Sequence, residues 1–211
     1  MLKKKVPKIV DAQARRQDVV DAVWRIIGSD GLERASLREV ADEAGLAVGS
    51  VRHYFASSDE LHRHAFSAVV DRIVQRLSKA EDDVESHVPG SAAHSEAVLT
   101  LLGEFLPLDE ERALDACVWL AFKNAARVKP ALIAEADRSH RSVAAVVGRV
   151  INGLLPEGSS GDRLVVDAEH LLAVLDGLCM HALLQPEWMS ADICREVLES
   201  HLAGIRARSS R

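Results

Sequence analysis

Between residues 12 and 29, Val19, Val20, Val23, Ile26 and Ile27 stand at relative positions 0, 1, 4, 7 and 8, with polar residues between them. That spacing places one apolar stripe along an α-helix, and Gly28 and Gly31 supply its stop. The Ser36-x-x-Glu39 pair then reads as a capping box, followed at helical spacing by Leu37, Val40, Ala41 and Ala44, so a second, short helix starts there. Beyond Gly45 a third is predicted from Val48 to Phe55. Ser57-x-x-Glu60 opens a fourth running towards His87.

The segment "HVPGSAAH" at 87–94 is the clearest break in the pattern. After it, helical periodicity returns near 95–106, 109–127, 130–155, 163–184 and 190–206. Pro107, Pro130, "PEGSSGD" at 156–162 and Pro186 punctuate these stretches, each where a helix has to stop or start. The expected fold is therefore all-α, with an N-terminal three-helix domain over 1–56 and a larger helical domain over 57–211. Composition agrees: 48% of the 211 residues are hydrophobic, enough for a real core, and only 4% are aromatic.

Charge changes the picture at one end. The chain carries −6 overall, a balance that disfavours phosphate, yet residues 1–52 hold ten Lys/Arg against eight acids. That end is net basic, and Lys3, Lys4 and Lys5 form an arm ahead of the first helix. The three cysteines, Cys117, Cys179 and Cys194, contain no CxxC pair and suit reduced thiols. "MLKKKVPKIV" starts like a secretion signal, but Asp11, Arg15, Arg16 and Asp18 interrupt it before an apolar stretch develops. No run approaches the roughly 18 apolar residues of a membrane helix. A soluble cytoplasmic protein is expected.

The sequence "LREVADEAGLAVGSVRHYF" at 37–55 carries the most chemistry. Two helices of about seven residues, each roughly 10 Å long, are unstable alone and need a scaffold. A helix-turn-helix asks for a small fifth residue where they cross and a ninth that tolerates positive φ; Ala41 and Gly45 stand there. Its apolar slots are filled by Val40, Ala44, Leu46, Val51 and Tyr54. The second helix would then present Val48, Gly49, Ser50, Arg52 and His53 to a major groove about 12 Å wide. Arg52 suits guanine or phosphate, Ser50 a phosphate or base, and Gly49 lets backbone come close. Tyr54 fits core packing as well as DNA contact, and His53 fits a solvated surface.

With these residues in place, "SLREVADEAGLAVGSVRHYFASSDEL" resembles the N-terminal domain of the TetR family of transcriptional repressors. "ALDACVWLAFKNAARVKPAL" and "AEHLLAVLDGLCMHALL" are similar to the ligand-binding half of its BetI-type branch. The resemblance implies an Ω-shaped homodimer that binds double-stranded DNA and a small molecule. It also implies phosphate contacts from Ser36 and Ser50, with Val48, Gly49, Arg52 and Tyr54 at or near bases. One departure is visible: where the family usually carries a lysine at the start of the fourth helix, this chain has Ser58. Phosphate affinity would then lean on Arg52 and on Lys3, Lys4 and Lys5, whose arm either enters the minor groove or stays unstructured.

In the larger domain, helix 163–184 is apolar on more than one side, so it is either central to the body or shared with a second subunit. The resemblance favours a dimer contact through Leu171, Val174, Leu175, Leu178, Val197 and His201. Candidate ligand-binding residues are Trp119, Phe122, Asn124, His140, Met180 and His181, each equally able to fill a helical core. No cofactor or metal is expected. An enzyme finds little support, because there is no HExxH and "PEGSSGD" lacks the Lys-Ser/Thr of a phosphate loop. A helical interaction protein with a degenerate DNA-binding head remains the other alternative.

Overall fold

The computed structural model describes residues 12–156 and 160–209; the lysines at 3, 4 and 5 lie outside the described residues. Among these residues the structure is all-helical: α1 (Ala12–Asp30), α2 (Leu37–Glu43), α3 (Val48–Tyr54), α4 (Ser58–Glu85), α5 (Ala92–Gly103), α6 (Glu110–Ala126), α7 (Ile133–Leu154), α8 (Gly161–Leu184) and α9 (Ala191–Ser209). Short 3-10 turns lie at Leu32–Arg34 and Pro130–Leu132. The chain divides into two compact units, the first ending at Ala65 and the second beginning at Phe66.

In the first unit, all five apolar residues of the α1 stripe are buried, and Val40, Ala41, Val51 and Phe55 are fully enclosed with them. Ser36 caps α2 by accepting the Glu39 backbone N–H at 3.2 Å. Gly45 has φ of +65°, the left-handed value at which a side chain is strained. The unit extends past the expected boundary at residue 56 because the first turns of α4 are welded into it. Leu61 and Ala65 are fully buried there. The Trp24 indole N–H donates to the Ala65 carbonyl at 3.1 Å, and the His62 ring donates from Nε2 to the Ala35 carbonyl at 2.7 Å. The Arg16 guanidinium sits 4.8 Å over the Phe55 ring.

In the second unit, α6, α7 and α8 pack on one another, α5 packs on α9, and α8 on α9. Their core joins Leu101, Leu102, Val147, Ile151, Leu171, Cys194, Leu198 and Ile205. Side-chain caps start the helices sharply: Ser91, Asp109 and Ser160 accept the backbone N–H of His94, Arg112 and Arg163. The Arg112 backbone N–H holds the Asp109 carboxyl below its ordinary range against the opposing effect of burial, with the Arg112 charge adding to the lowering. α5 begins three residues earlier than periodicity suggests, since Ser91 caps a first turn whose Ala92 and Ala93 are exposed.

Replacing Gly45 with valine should lower the urea unfolding free energy by about 1–2 kcal/mol, the cost of a left-handed L-residue. A change near zero would mean the corner can relax to another backbone conformation.

Candidate DNA interface and ligand cleft

α3 has two unlike sides. Val51 is fully buried against the head core, while Gly49, Ser50, Arg52 and His53 are exposed and Val48 and Tyr54 half-buried. His53 and Tyr54 meet edge to face, with ring centroids 5.4 Å apart. Helix packing does not require Gly49, because a Cβ there would meet nothing within 4 Å and its φ is not positive. Ser36 is exposed, and since its oxygen accepts the cap bond, its hydroxyl hydrogen remains able to donate.

Five of the head's arginines separate into two groups. Arg15, Arg25 and Arg34 pair with Asp18, Glu43 and Glu39 at 3.3, 2.6 and 3.4 Å. Arg38 on α2 and Arg52 on α3 are exposed and make no ion pair among the described residues. Their charge is therefore available to an external anion. Arg38 drew no attention in the sequence because no slot of the motif specifies it; its exposure and lack of a partner become visible only in the fold.

In the second unit, a cleft of about 50 Å³ is lined by residues of α4, α6, α7 and α8 and by Glu104 and Phe105 just after α5. Phe105 and Trp119 form aromatic walls, with Val143, Leu172 and Leu175 between them. The Trp119 indole N–H donates to Ser139 Oγ at 2.6 Å, and Lys123 Nζ lies 4.8 Å over its ring. One side is a network of charges. Asp115, 1% exposed, accepts from both Arg72 and Arg76. Arg76 and Arg112 each reach Glu104 at 3.3 Å. Burying Asp115 is tolerable only because two guanidiniums neutralise it.

Asp176 is the remaining carboxylate of the cleft and makes no ion pair among the described residues. It is exposed, and desolvation beside the cleft wall pushes its carboxyl up, opposed by the charges of Lys123 and His140. Burial also pushes the Cys179 thiol up to about 12, so this wall residue behaves as a small apolar group.

Of the six residues expected at a ligand site, only Trp119 lines this cleft. Phe122 is instead fully buried in the core, stacked on Phe66 with centroids 5.0 Å apart. Asn124, His140, Met180 and His181 are exposed, because they lie on the outward sides of α6, α7 and α8. The cleft's charged residues were missed although Arg72 and Arg76 stand four apart. Asp115 likewise precedes Trp119 by four residues, a spacing that puts a carboxylate on an inward stripe.

The dimer-contact residues need a similar correction. Leu171, Leu175 and Leu178 are buried in the chain's own core and have no surface left to offer a partner. Val174 is half-buried, Val197 exposed and His201 half-buried, beside one shallow groove between α8 and α9. The outward apolar residues of the two helices are Val165, Val166, Met180, Leu184, Ile193 and Val197. The second apolar face of α8 thus points away from the core instead of into a central position.

Comparison with known proteins supports the regulator among the classes left open above. Residues 19–65 match the model of the bacterial regulatory proteins of the tetR family, and residues 94–207 match that of the BetI-type transcriptional repressor, C-terminal. The chain belongs to the TetR family of transcriptional regulators. It is 33% identical to the HTH-type transcriptional regulator PksA of Bacillus subtilis (strain 168), over 98% of this chain and 97% of that one. Among solved structures it resembles a transcriptional regulator from Rhodococcus sp. Rha1, with TM-score 0.79 and 28% identity, covering 93% of this chain and 98% of that one. It also resembles the multidrug binding protein EbrR complexed with ethidium, with TM-score 0.61 and 28% identity over 91% and 99% of the two chains. This TetR-family chain has no described helix long and apolar enough to cross a membrane. Among the described residues no group of three or more His, Cys, Asp or Glu side chains could hold a metal ion.

Asp115→Asn should destabilise the protein by about 1–3 kcal/mol in urea unfolding, because Arg76 and Arg72 then face a neutral amide in a largely buried site. Equal stability of the variant would show that water already neutralises these charges.

Proposed function

We propose that this TetR-family regulator is a repressor that holds a pseudo-palindromic operator as a homodimer and is released by an aromatic cation. The observation that carries the DNA half is the two-sided α3: Val51 anchors it, while Arg52, Ser50 and Gly49 face outward and Arg52 makes no ion pair among the described residues. In this reading Arg52 makes the base contact, and Arg38, Ser36 and Ser50 position the helix on phosphates. Ser58 replaces a charged phosphate contact with a hydroxyl, so Arg38 and the arm of Lys3, Lys4 and Lys5 supply a larger share of the affinity.

Dimerisation is supported by the apolar residues that α8 and α9 leave outward. Val166, Met180, Leu184, Ile193 and Val197 are each more than a third exposed, and a second copy of the same face would cover them as a four-helix contact. Two heads related by a two-fold axis call for half-sites about one helical turn, roughly 34 Å, apart or a multiple of it.

For the ligand, support comes from Trp119 and Phe105 as aromatic walls and from Asp176 as the carboxylate without an ion pair among the described residues. EbrR in complex with ethidium offers a precedent within similar structures. A cleft of about 50 Å³ accepts a few waters, so a larger ligand has to widen it. Binding preferentially to a widened state would shift the population away from the DNA-binding one, with a typical coupling of about 1–3 kcal/mol.

The test starts from an operator selected from random duplexes. Arg52→Ala should lower affinity for it by about 1–3 kcal/mol and relax its base preference. Asp176→Asn should keep DNA affinity but weaken ethidium binding roughly fivefold or more. If no sequence is enriched, the head does not read DNA. If ethidium leaves the complex intact at saturation, release by a cation is wrong.

A further inference from the structure

The Trp119 ring already carries a cation. Lys123 follows one helical turn later on α6, and its Nζ lies 4.8 Å from the ring centroid, inside the range of a cation–π contact. Lys123 is half-buried and makes no ion pair among the described residues, so the ring is the protein group its ammonium touches. The ring is held in place for this contact. Its indole N–H donates to Oγ of the buried Ser139 at 2.6 Å, which fixes the plane from the core side.

The same ammonium acts on the cleft's carboxylate. Trp119 and Asp176 both line the cleft, while Lys123 does not. Desolvation raises the Asp176 carboxyl, and the Lys123 charge opposes that rise ahead of the His140 charge. Lys123 therefore stands at the edge of the cleft, near both its aromatic wall and its exposed carboxylate. Those are the two groups that an aromatic cation would use.

We propose that Lys123 is an internal stand-in for the cationic ligand: its ammonium holds the Trp119 ring and offsets the Asp176 charge, and an aromatic cation has to displace it to bind. The inference rests on the cation reading of the cleft and adds the residue that sets its affinity and selectivity. Displacement needs no helix to move, because the unbranched lysine stem can swing its charge into water. The swing uncovers the ring and Asp176 together, and so supplies part of the widening that a cleft of about 50 Å³ requires. A neutral aromatic stacks on the ring but leaves Asp176 without a counter-charge. A small aliphatic cation answers Asp176 but gains less from the ring. The lysine thus sets a threshold that only a ligand with both features passes.

The test compares ethidium with phenanthridine, the same fused ring system without the fixed charge, by calorimetry on the full chain near neutral pH. Lys123→Met keeps the apolar stem and removes the charge. It should tighten ethidium about threefold or more and leave phenanthridine unchanged. Lys123→Arg keeps a cation on the ring and should bind ethidium as wild type does, and both variants should retain the wild-type circular dichroism. Unchanged or weaker ethidium binding by Lys123→Met, with wild type binding ethidium, overturns the inference and leaves the cation reading standing. Equal tightening of both compounds also overturns it, since the gain then comes from space instead of charge. If neither wild type nor Lys123→Met binds ethidium, the cation reading itself has failed and the inference falls with it.

Discussion

Two seven-residue helices cannot hold their own shape in water, and everything the head can do to DNA depends on what holds them. Gly45 turns the chain through a left-handed φ of +65°, and Ala41, fully buried, lets the helices cross closely. Val40 and Val51 then sink into the core that α1 provides. Because Val51 is committed inward, the rotation of α3 about its own axis is fixed. Its exposed residues are therefore Gly49, Ser50, Arg52 and His53, set by burial on the opposite side. The face that α3 turns outward in this TetR-family chain is thus set by packing.

The body relies on a different constraint, the neutralisation of Asp115. A carboxylate at 1% exposure is tolerated because Arg72 and Arg76 on α4 meet it, and Arg76 and Arg112 share Glu104. The network forms one side of the Trp119 cleft. It also leaves Asp176 as the carboxylate there without an ion pair among the described residues. Charge pairing inside the body therefore shapes the chemistry the cleft offers.

Much of the fold was legible because helical periodicity and caps are local signals. Ser36, Ser57 and Gly45 announced the head, and the prolines and glycines announced the body helices. The side of α3 that faces out followed from the same pattern. What periodicity does not carry is which of several apolar faces turns to the chain's own core. On α8, Leu171, Leu175 and Leu178 are apolar and so are Val166, Met180 and Leu184, and only tertiary packing assigns the first set inward. The cleft was harder still, since Asp115, Glu104 and Arg76 are distant in sequence and resemble surface charges until their pairing is seen. Phe122 and Trp119 sit three residues apart on α6, yet one fills the core and the other lines the cleft.

The central claim is that the exposed face of α3 reads a specific DNA sequence. Fluorescence anisotropy on the fragment flanking the protein's own gene, compared with a scrambled fragment and titrated through salt, tests it most directly. Selective binding whose affinity falls with salt along a log–log slope of several units is the predicted result, since phosphate contacts release counterions while base contacts discriminate. Equal affinity for both fragments at every salt concentration, together with failure to enrich any genomic fragment, would contradict it.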